Sequence, residues 1–315
     1  MSALNFGGCG WAGGAISMLL ALAGWAGPCH AGTPIRAAAY VAELQTERLY
    51  RIAFRWDGAA TLEVDSPQLI ATAQAGGGVH FADDLVYVTG AGSVTRVVLG
   101  SGTTSTVSTF NNANACSADS GRAFLYCGWH FGLSRVPLQP LANGTLVPLM
   151  GADTNLTNIV FTPAHGIFYS TGTEAIIGDF GSLDLGSGNT VRLQTNAFAT
   201  GITWDRFSAR ILLANLGRAR LIDPANPSAI ESQRDDSATQ NYLSLNPSGR
   251  GHAIGTLCCT TEARLVLLDY SSSGSLSDPS TLLASATLSG LSQLSGEAAF
   301  DRDRLFAGGY EDGEF

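Results

Sequence analysis

Two groups of side chains have the types and spacing for chemistry. Amides recur in short polar segments: Asn111, Asn112 and Asn114; Asn155 and Asn158; Asn196; Gln240 and Asn241. Glu297 stands in a comparable segment near the C-terminal end. Amide oxygens joined by one carboxylate make an all-oxygen ligand set of the kind Ca²⁺ takes, with roughly six to eight oxygens. The same asparagines also suit turns, because the side chain bonds its own backbone and tolerates a left-handed conformation. The second group is Trp129–His130–Phe131. An exposed aromatic–histidine cluster stacks on a sugar or moves a proton; a buried one is packing. The expected ligand-binding residues are therefore Trp129, His130, Asn112, Asn114, Asn158, Asn196 and Asn241, with Glu297 as the expected metal ligand.

Other chemistries are excluded by residue type. The 17 basic residues are all arginine. A P-loop lysine, a Schiff-base lysine and a Ser–Lys pair are thus ruled out. No Gly-x-Ser-x-Gly elbow occurs. His80, His165 and His252 fall in separate segments without zinc-type spacing. The glycine runs Gly76–Gly77–Gly78 and Gly100–Ser101–Gly102 lie between strand patterns and read as turns. No catalytic residue is assigned. A net charge of −9 argues against a nucleic-acid or anionic-membrane partner.

The N-terminus reads as an export signal. Arg36 is the first charged side chain, after a short apolar run at Ala15–Ala23 and a small-residue site at Ala31–Gly32. This pattern predicts a signal peptide over 1–31; an uncleaved anchor is the alternative. Export implies a secreted or periplasmic protein, soluble once the signal is removed. Cys116, Cys127, Cys258 and Cys259 then remain in an oxidising compartment. Of three pairings, the local one is expected: Cys116–Cys127 across the turn Asp119–Ser120–Gly121, and Cys258–Cys259 as a vicinal pair. Reduced thiols are the alternative.

The elements that must position these residues form a repeat. An apolar second strand recurs at Tyr40, Tyr87, Tyr126, Tyr169, Leu213 and Ile254, with a further echo at Phe306. The mean period of about 44 residues, with four strands per unit, signals propeller blades. First strands read Val79–His80–Phe81, Ile159–Val160–Phe161, Ile202–Thr203–Trp204, Leu243–Ser244–Leu245 and Ala298–Ala299–Phe300, each leading into a Pro, Asn, Asp or Gly turn. The N-terminal unit lacks a first strand, and Glu297–Phe300 supplies an unpaired one. An all-β, six-bladed propeller closed by its C-terminal strand is the expectation, with seven blades as the alternative. The propeller is placed at 32–304 and a tail at 305–315.

The segment Ile202–Thr203–Trp204–Asp205…Ile211–Leu212–Leu213–Ala214–Asn215, repeated with variations over residues 36–310, resembles secreted propellers of the NHL/YVTN and SMP-30 (gluconolactonase-like) superfamily. In such a propeller, ligands are expected at the channel end formed by the loops between second and third strands and between blades. The resemblance also implies, in the lactonase branch, a metal held by a glutamate at the position of Glu297. The Asn-Gly of that branch is replaced here by Thr200–Gly201. The expected function is an exported, monomeric, non-catalytic scaffold for a protein, peptide or glycan ligand, without a cofactor. The alternative is a divalent-metal-dependent lactonase or esterase using Ca²⁺ or a similar ion. A quinone-cofactor dehydrogenase, suggested by a vicinal Cys258–Cys259 ring, is a weaker third reading.

Overall fold

A computed structural model describes residues 35–58, 62–74, 78–82, 85–109, 115–128, 132–173, 176–236, 241–257 and 262–301, without the side chains at 81, 82, 296 and 297. The described chain is all strand and turn. The first blade holds β1 (Ile35–Glu43), β2 (Arg48–Trp56), β3 (Leu62–Val64) and β4 (Gln68–Thr72). The second holds β5 (Val79–Ala82), β6 (Leu85–Gly90), β7 (Ser93–Val98) and β8 (Thr103–Ser108). The third holds β9 (Ala115–Ala118), β10 (Phe124–Gly128), β11 (Leu133–Pro137) and β12 (Thr145–Val147). After β13 (Met150–Gly151), the fourth follows as β14 (Asn158–Thr162), β15 (Gly166–Ser170), β16 (Phe180–Asp184) and β17 (Asn189–Gln194). The fifth is β18 (Gly201–Asp205), β19 (Arg210–Asn215), β20 (Arg218–Ile222) and β21 (Ser232–Asp235). The sixth is β22 (Asn246–Pro247), β23 (His252–Thr256), β24 (Arg264–Asp269) and β25 (Leu282–Thr287), and β26 (Leu294–Phe300) ends the described chain.

These strands make six separate antiparallel-based sheets, a six-bladed propeller. The first sheet runs β26-β1-β2-β3, so the last strand completes the first blade, with Ala39 opposite Phe300 and Val41 opposite Ala298. The innermost strands β26, β5, β9, β14, β18 and β22 touch one another in that order and return to β26, closing a ring around the channel. The seven-bladed alternative is set aside by this count. The echo at Phe306 lies outside the described residues.

Period-two alternation explains why the blades stack. Along β1, Ala37, Ala39 and Val41 join one buried cluster with blade-six residues Ile254 and Leu265. Tyr40 and Ala42 turn the opposite way and join Val79, Val86 and Val88 of blade two. Both faces of each blade are therefore buried, which is why the second strands read as continuous apolar runs. Six such clusters occupy the six seams between neighbouring blades.

The inner strands are also tied across the seams by side chains. Ser117 Oγ donates to the Ile159 carbonyl. Thr203 Oγ1 donates to Leu245 O at 3.0 Å, and Asn246 Nδ2 to Ala298 O at 2.6 Å. Ser170 Oγ reaches Thr200 O at 2.7 Å, and Thr256 Oγ1 reaches Ser295 O at 2.6 Å. Each bond gives a backbone carbonyl near the channel a side-chain donor from the neighbouring blade.

The expected sixth-blade first strand needs correction. Leu243–Ser244–Leu245 does not pair; the ladder is Asn246↔Ile254 and Pro247↔Ala253. Leu245 is apolar because it packs into the seam between blades five and six. Pro247 has no N–H to donate.

Candidate functional site

The described channel holds a cavity of about 570 Å³ lined by all six inner strands. The ladders fix which residues share a level. Level with one another, one ladder step from the turns, are Ala118, Phe161, Trp204, Pro247 and Phe300. The next level inward carries His80, Ser117, Val160, Thr203, Asn246 and Ala299, one from each blade. Deeper still lie Val79, Cys116 and Ile202, and then Asn158. All of these line the cavity. The cavity thus has an aromatic level, a small polar level and a mostly apolar floor.

The rim is built by turns between first and second strands. Asp119, Ser120 and Arg122 come from the turn after β9, and Pro163 and Arg206 from those after β14 and β18. Buried or half-buried aspartates hold these turns. Asp119 Oδ1 accepts Ala123 N at 2.8 Å and Phe124 N at 3.1 Å, with Arg122 left-handed at φ 51. Asp205, fully buried, accepts Phe207 N at 3.1 Å and Ser208 Oγ at 2.6 Å. Local side chain–backbone bonds of this kind preset a turn before any ligand arrives. Arg206 is exposed and makes no hydrogen bond or ion pair among the described residues.

Behind the rim, an Asp–Tyr–Arg arrangement recurs. Tyr40 lies opposite Arg51 in blade one, and Arg51 Nε donates to Asp301 Oδ2 at 2.7 Å. Tyr126 lies opposite Arg135 in blade three, near Asp119. Tyr87 lies opposite Arg96 in blade two. Burial, and secondarily Asp301, pushes the Tyr40 phenol up to about 12. Burial likewise raises Tyr126. The Tyr40 and Tyr126 phenols therefore stay neutral at physiological pH and act as hydrogen-bonding struts rather than proton carriers.

Of the residues expected from sequence, Asn158 lines the cavity; it is 2% exposed. Its Oδ1 accepts Ser117 Oγ at 3.1 Å and Ile159 N at 2.8 Å. Asn196 sits exposed in the connection from β17 to β18, left-handed at φ 52, its N–H on Asp179 Oδ1 at 2.8 Å. Asn241 is half-buried in the connection from β21 to β22. Neither lines the cavity. Trp129, His130, Asn112 and Asn114 lie outside the described residues, as do Cys258 and Cys259. Glu297 is placed on β26, but its side chain is outside the described set. Among the described residues, no three His, Cys, Asp or Glu side chains gather as a metal site. The Cys116–Cys127 disulfide is formed, joining residues directly opposite in β9 and β10.

Sequence reasoning missed Trp204, Arg122 and Arg206 as cavity residues. The signal was present in the first-strand alignment, whose third position is aromatic in four of five segments: Phe81, Phe161, Trp204 and Phe300. Its recurrence marks a level of the channel, and the residues after it form the rim.

No protein-family model matches the chain, and no curated protein matches it in sequence. Solved structures do. A TolB-type protein from Agrobacterium tumefaciens aligns at 14% identity over 85% of this chain and 98% of its own, with a TM-score of 0.50. TolB from Acinetobacter baumannii aligns at 14% identity over 84% of this chain and 66% of its own, TM-score 0.49. Regucalcin, a calcium-binding protein from Agrobacterium tumefaciens, aligns at 12% identity over 62% of this chain and 71% of its own, TM-score 0.48. At these identities the likeness is one of fold: a β-propeller, with no particular family singled out.

Proposed function

We propose that this chain is an exported binding module that receives a peptide or glycan ligand in its channel, at the end rimmed by Asp119, Arg122 and Arg206. The cavity of about 570 Å³ carries this reading. Its volume falls within the range of roughly 300–1,000 Å³ typical of small-ligand sites, which combine apolar walls with a few placed polar groups. Tryptophan and arginine, here at its mouth, are the residues that most often anchor binding. The disulfide supports an oxidising compartment. The connections holding Asn196 and Asn241 sit between blades and serve as linkers in this reading.

The test is calorimetric titration of the full chain with a panel of short peptides and oligosaccharides, repeated with Trp204→Ala. A ligand whose affinity falls at least tenfold in the variant supports the channel site. Binding that survives Trp204→Ala unchanged, or no binding at all, rejects it. Equilibrium dialysis against calcium addresses the hydrolase alternative in the same preparation. One tightly held ion per chain, lost in Glu297→Gln, would favour a metal-dependent lactonase over a scaffold.

A further inference from the structure

We infer that the channel ligand is an acidic saccharide, with its neutral hydroxylated part inside and its anionic group at the rim. This rests on the channel being the binding site. Two amides that line the cavity each spend one end on the protein and leave the other unused. Asn158 gives its Oδ1 to Ser117 and to the Ile159 N–H, leaving the Nδ2 donor. Asn246 gives its Nδ2 to the Ala298 carbonyl, leaving the Oδ1 acceptor. One donor and one acceptor on β14 and β22 flank β18, which carries Trp204. A sugar hydroxyl both donates and accepts, so it satisfies either end. The carbon-bound face of a pyranose ring suits a half-buried aromatic level such as Trp204 and Phe161.

Charge decides against a peptide end. Inside the rim, His80 is the only titratable side chain among the described lining residues. Among the described residues, a free peptide amine driven inward would meet no carboxylate there, and burying it unpaired is costly. A neutral sugar carries no such penalty. At the rim, two arginines face one carboxylate among the described residues. Asp119 is engaged with the turn amides, and Arg206 makes no described polar contact. A guanidinium offers a fork that fits a carboxylate or a sulfate ester equally. The protein as a whole carries −9, so the arginine excess among the described rim residues is a local feature rather than a reflection of composition.

The experiment titrates the full chain with galacturonic acid trisaccharide, its neutral methyl ester, a sulfated trisaccharide and an acidic Glu–Gly hexapeptide. Wild type is compared with Arg206→Gln and with Trp204→Phe and Trp204→Ala, each checked by its thermal melt. We expect an acidic trisaccharide to bind, with affinity reduced at least tenfold by Arg206→Gln and at least tenfold in the neutral ester. Trp204→Phe should retain most of that binding and Trp204→Ala lose it. Preference for the carboxylate or the sulfate arm identifies the anionic group, and either one supports the inference. Equal binding of acid and ester, unmoved by Arg206→Gln but lost in Trp204→Ala, overturns the charge inference while leaving the channel site standing. Binding of the hexapeptide alone overturns the saccharide class. If none of the four probes binds, this inference is overturned, and the wider panel decides the fate of the channel site.

Discussion

Glu43 is buried at 4% exposure, yet it is charged. Burial pushes its carboxyl up, but bonds from Thr46, from the Ser292 N–H and hydroxyl, and from Tyr50 outweigh that and hold it below its ordinary 4.5. Ser292 N lies 2.7 Å and Ser292 Oγ 2.8 Å from Oε1. One side chain on β1 therefore pins the loop that delivers β26. Hydrogen bonds to a charged acceptor contribute about 1.5–3 kcal/mol, against about 0.5–1.5 kcal/mol for a neutral one. Glu43→Gln should lower unfolding free energy by about 1–2 kcal/mol in urea titration. The depressed value also sets a sign with pH. Stability from Glu43 is complete above 4.5 and is lost as pH falls through its lower folded value. His252 adds an earlier loss. Burial holds it below 6.5, despite Asp269 Oδ1 at 3.3 Å from Nε2. Below 6.5 the unfolded chain takes up this proton while the folded chain resists, so stability declines as pH falls through that window. The urea midpoint of the wild type should drop between about pH 7 and 5, and His252→Gln should flatten that drop. An unchanged slope in the variant would place the titrating group elsewhere.

At the scale of elements, close packing between strands sets the tolerances. Gly181 on β16 lies opposite Tyr169 on β15. A Cβ added there would meet Tyr169 Cζ at 2.2 Å. Tyr169 is fully buried, and its hydroxyl donates to Asp153 at 2.5 Å, so the ring has no room to swing away. Gly181→Ala should cost about 1–3 kcal/mol, as overpacking does, read from the denaturation midpoint. The disulfide acts on the unfolded chain instead. It closes a sequence separation of 11 residues, for which chain entropy gives about 3 kcal/mol. The Cys116→Ala, Cys127→Ala double variant should fold but melt several degrees lower, and reducing agent should not shift its melt further. Much of this was legible in advance. The turn at Asp119–Ser120–Gly121 made a Cys116–Cys127 pair the expectation against reduced thiols, and the hairpin register sets the two residues opposite each other. Gly181 was not legible, because its need for space comes from the next strand and not from its own. Nor was β22, where Leu243–Ser244–Leu245 shows strand-like alternation but only Asn246–Pro247 pairs. Apolar periodicity reports burial, and burial in a seam does not require a ladder.

The whole molecule depends on closing a ring. The 44-residue period showed how many blades to expect, and the missing first strand at the N-terminus showed where the last one must go. The cavity was less legible, because a channel wall collects single residues from six distant segments, and only their common position in the repeat relates them. β26 is held to the rest by more than its ladder. Asn246 and Thr256 each donate to its carbonyls at 2.6 Å, Leu44 N to Gln293 O at 2.9 Å, and Asp301 N to Ala38 O at 2.8 Å. Asp301 also takes the Arg51 guanidinium, with both side chains nearly buried at 11% and 5% exposure. Leu294, Ala298, Ala299 and Phe300 fill the seams on either side of the first blade. A chain ending before Gly296 loses most of these at once. It bares the edge of β1, leaves Arg51 without its carboxylate, and opens the inner ring between β22 and β5. Blades that stack through both faces cannot reseal a gap without shifting every seam, and a free apolar edge invites pairing between chains. The truncated protein should therefore aggregate, or remain in solution without a cooperative melt. Adding a synthetic peptide of residues 292–301 should recover part of the cooperative transition by strand addition. A truncated chain that stays monomeric and melts sharply without the peptide would show that the ring is closed by something other than β26.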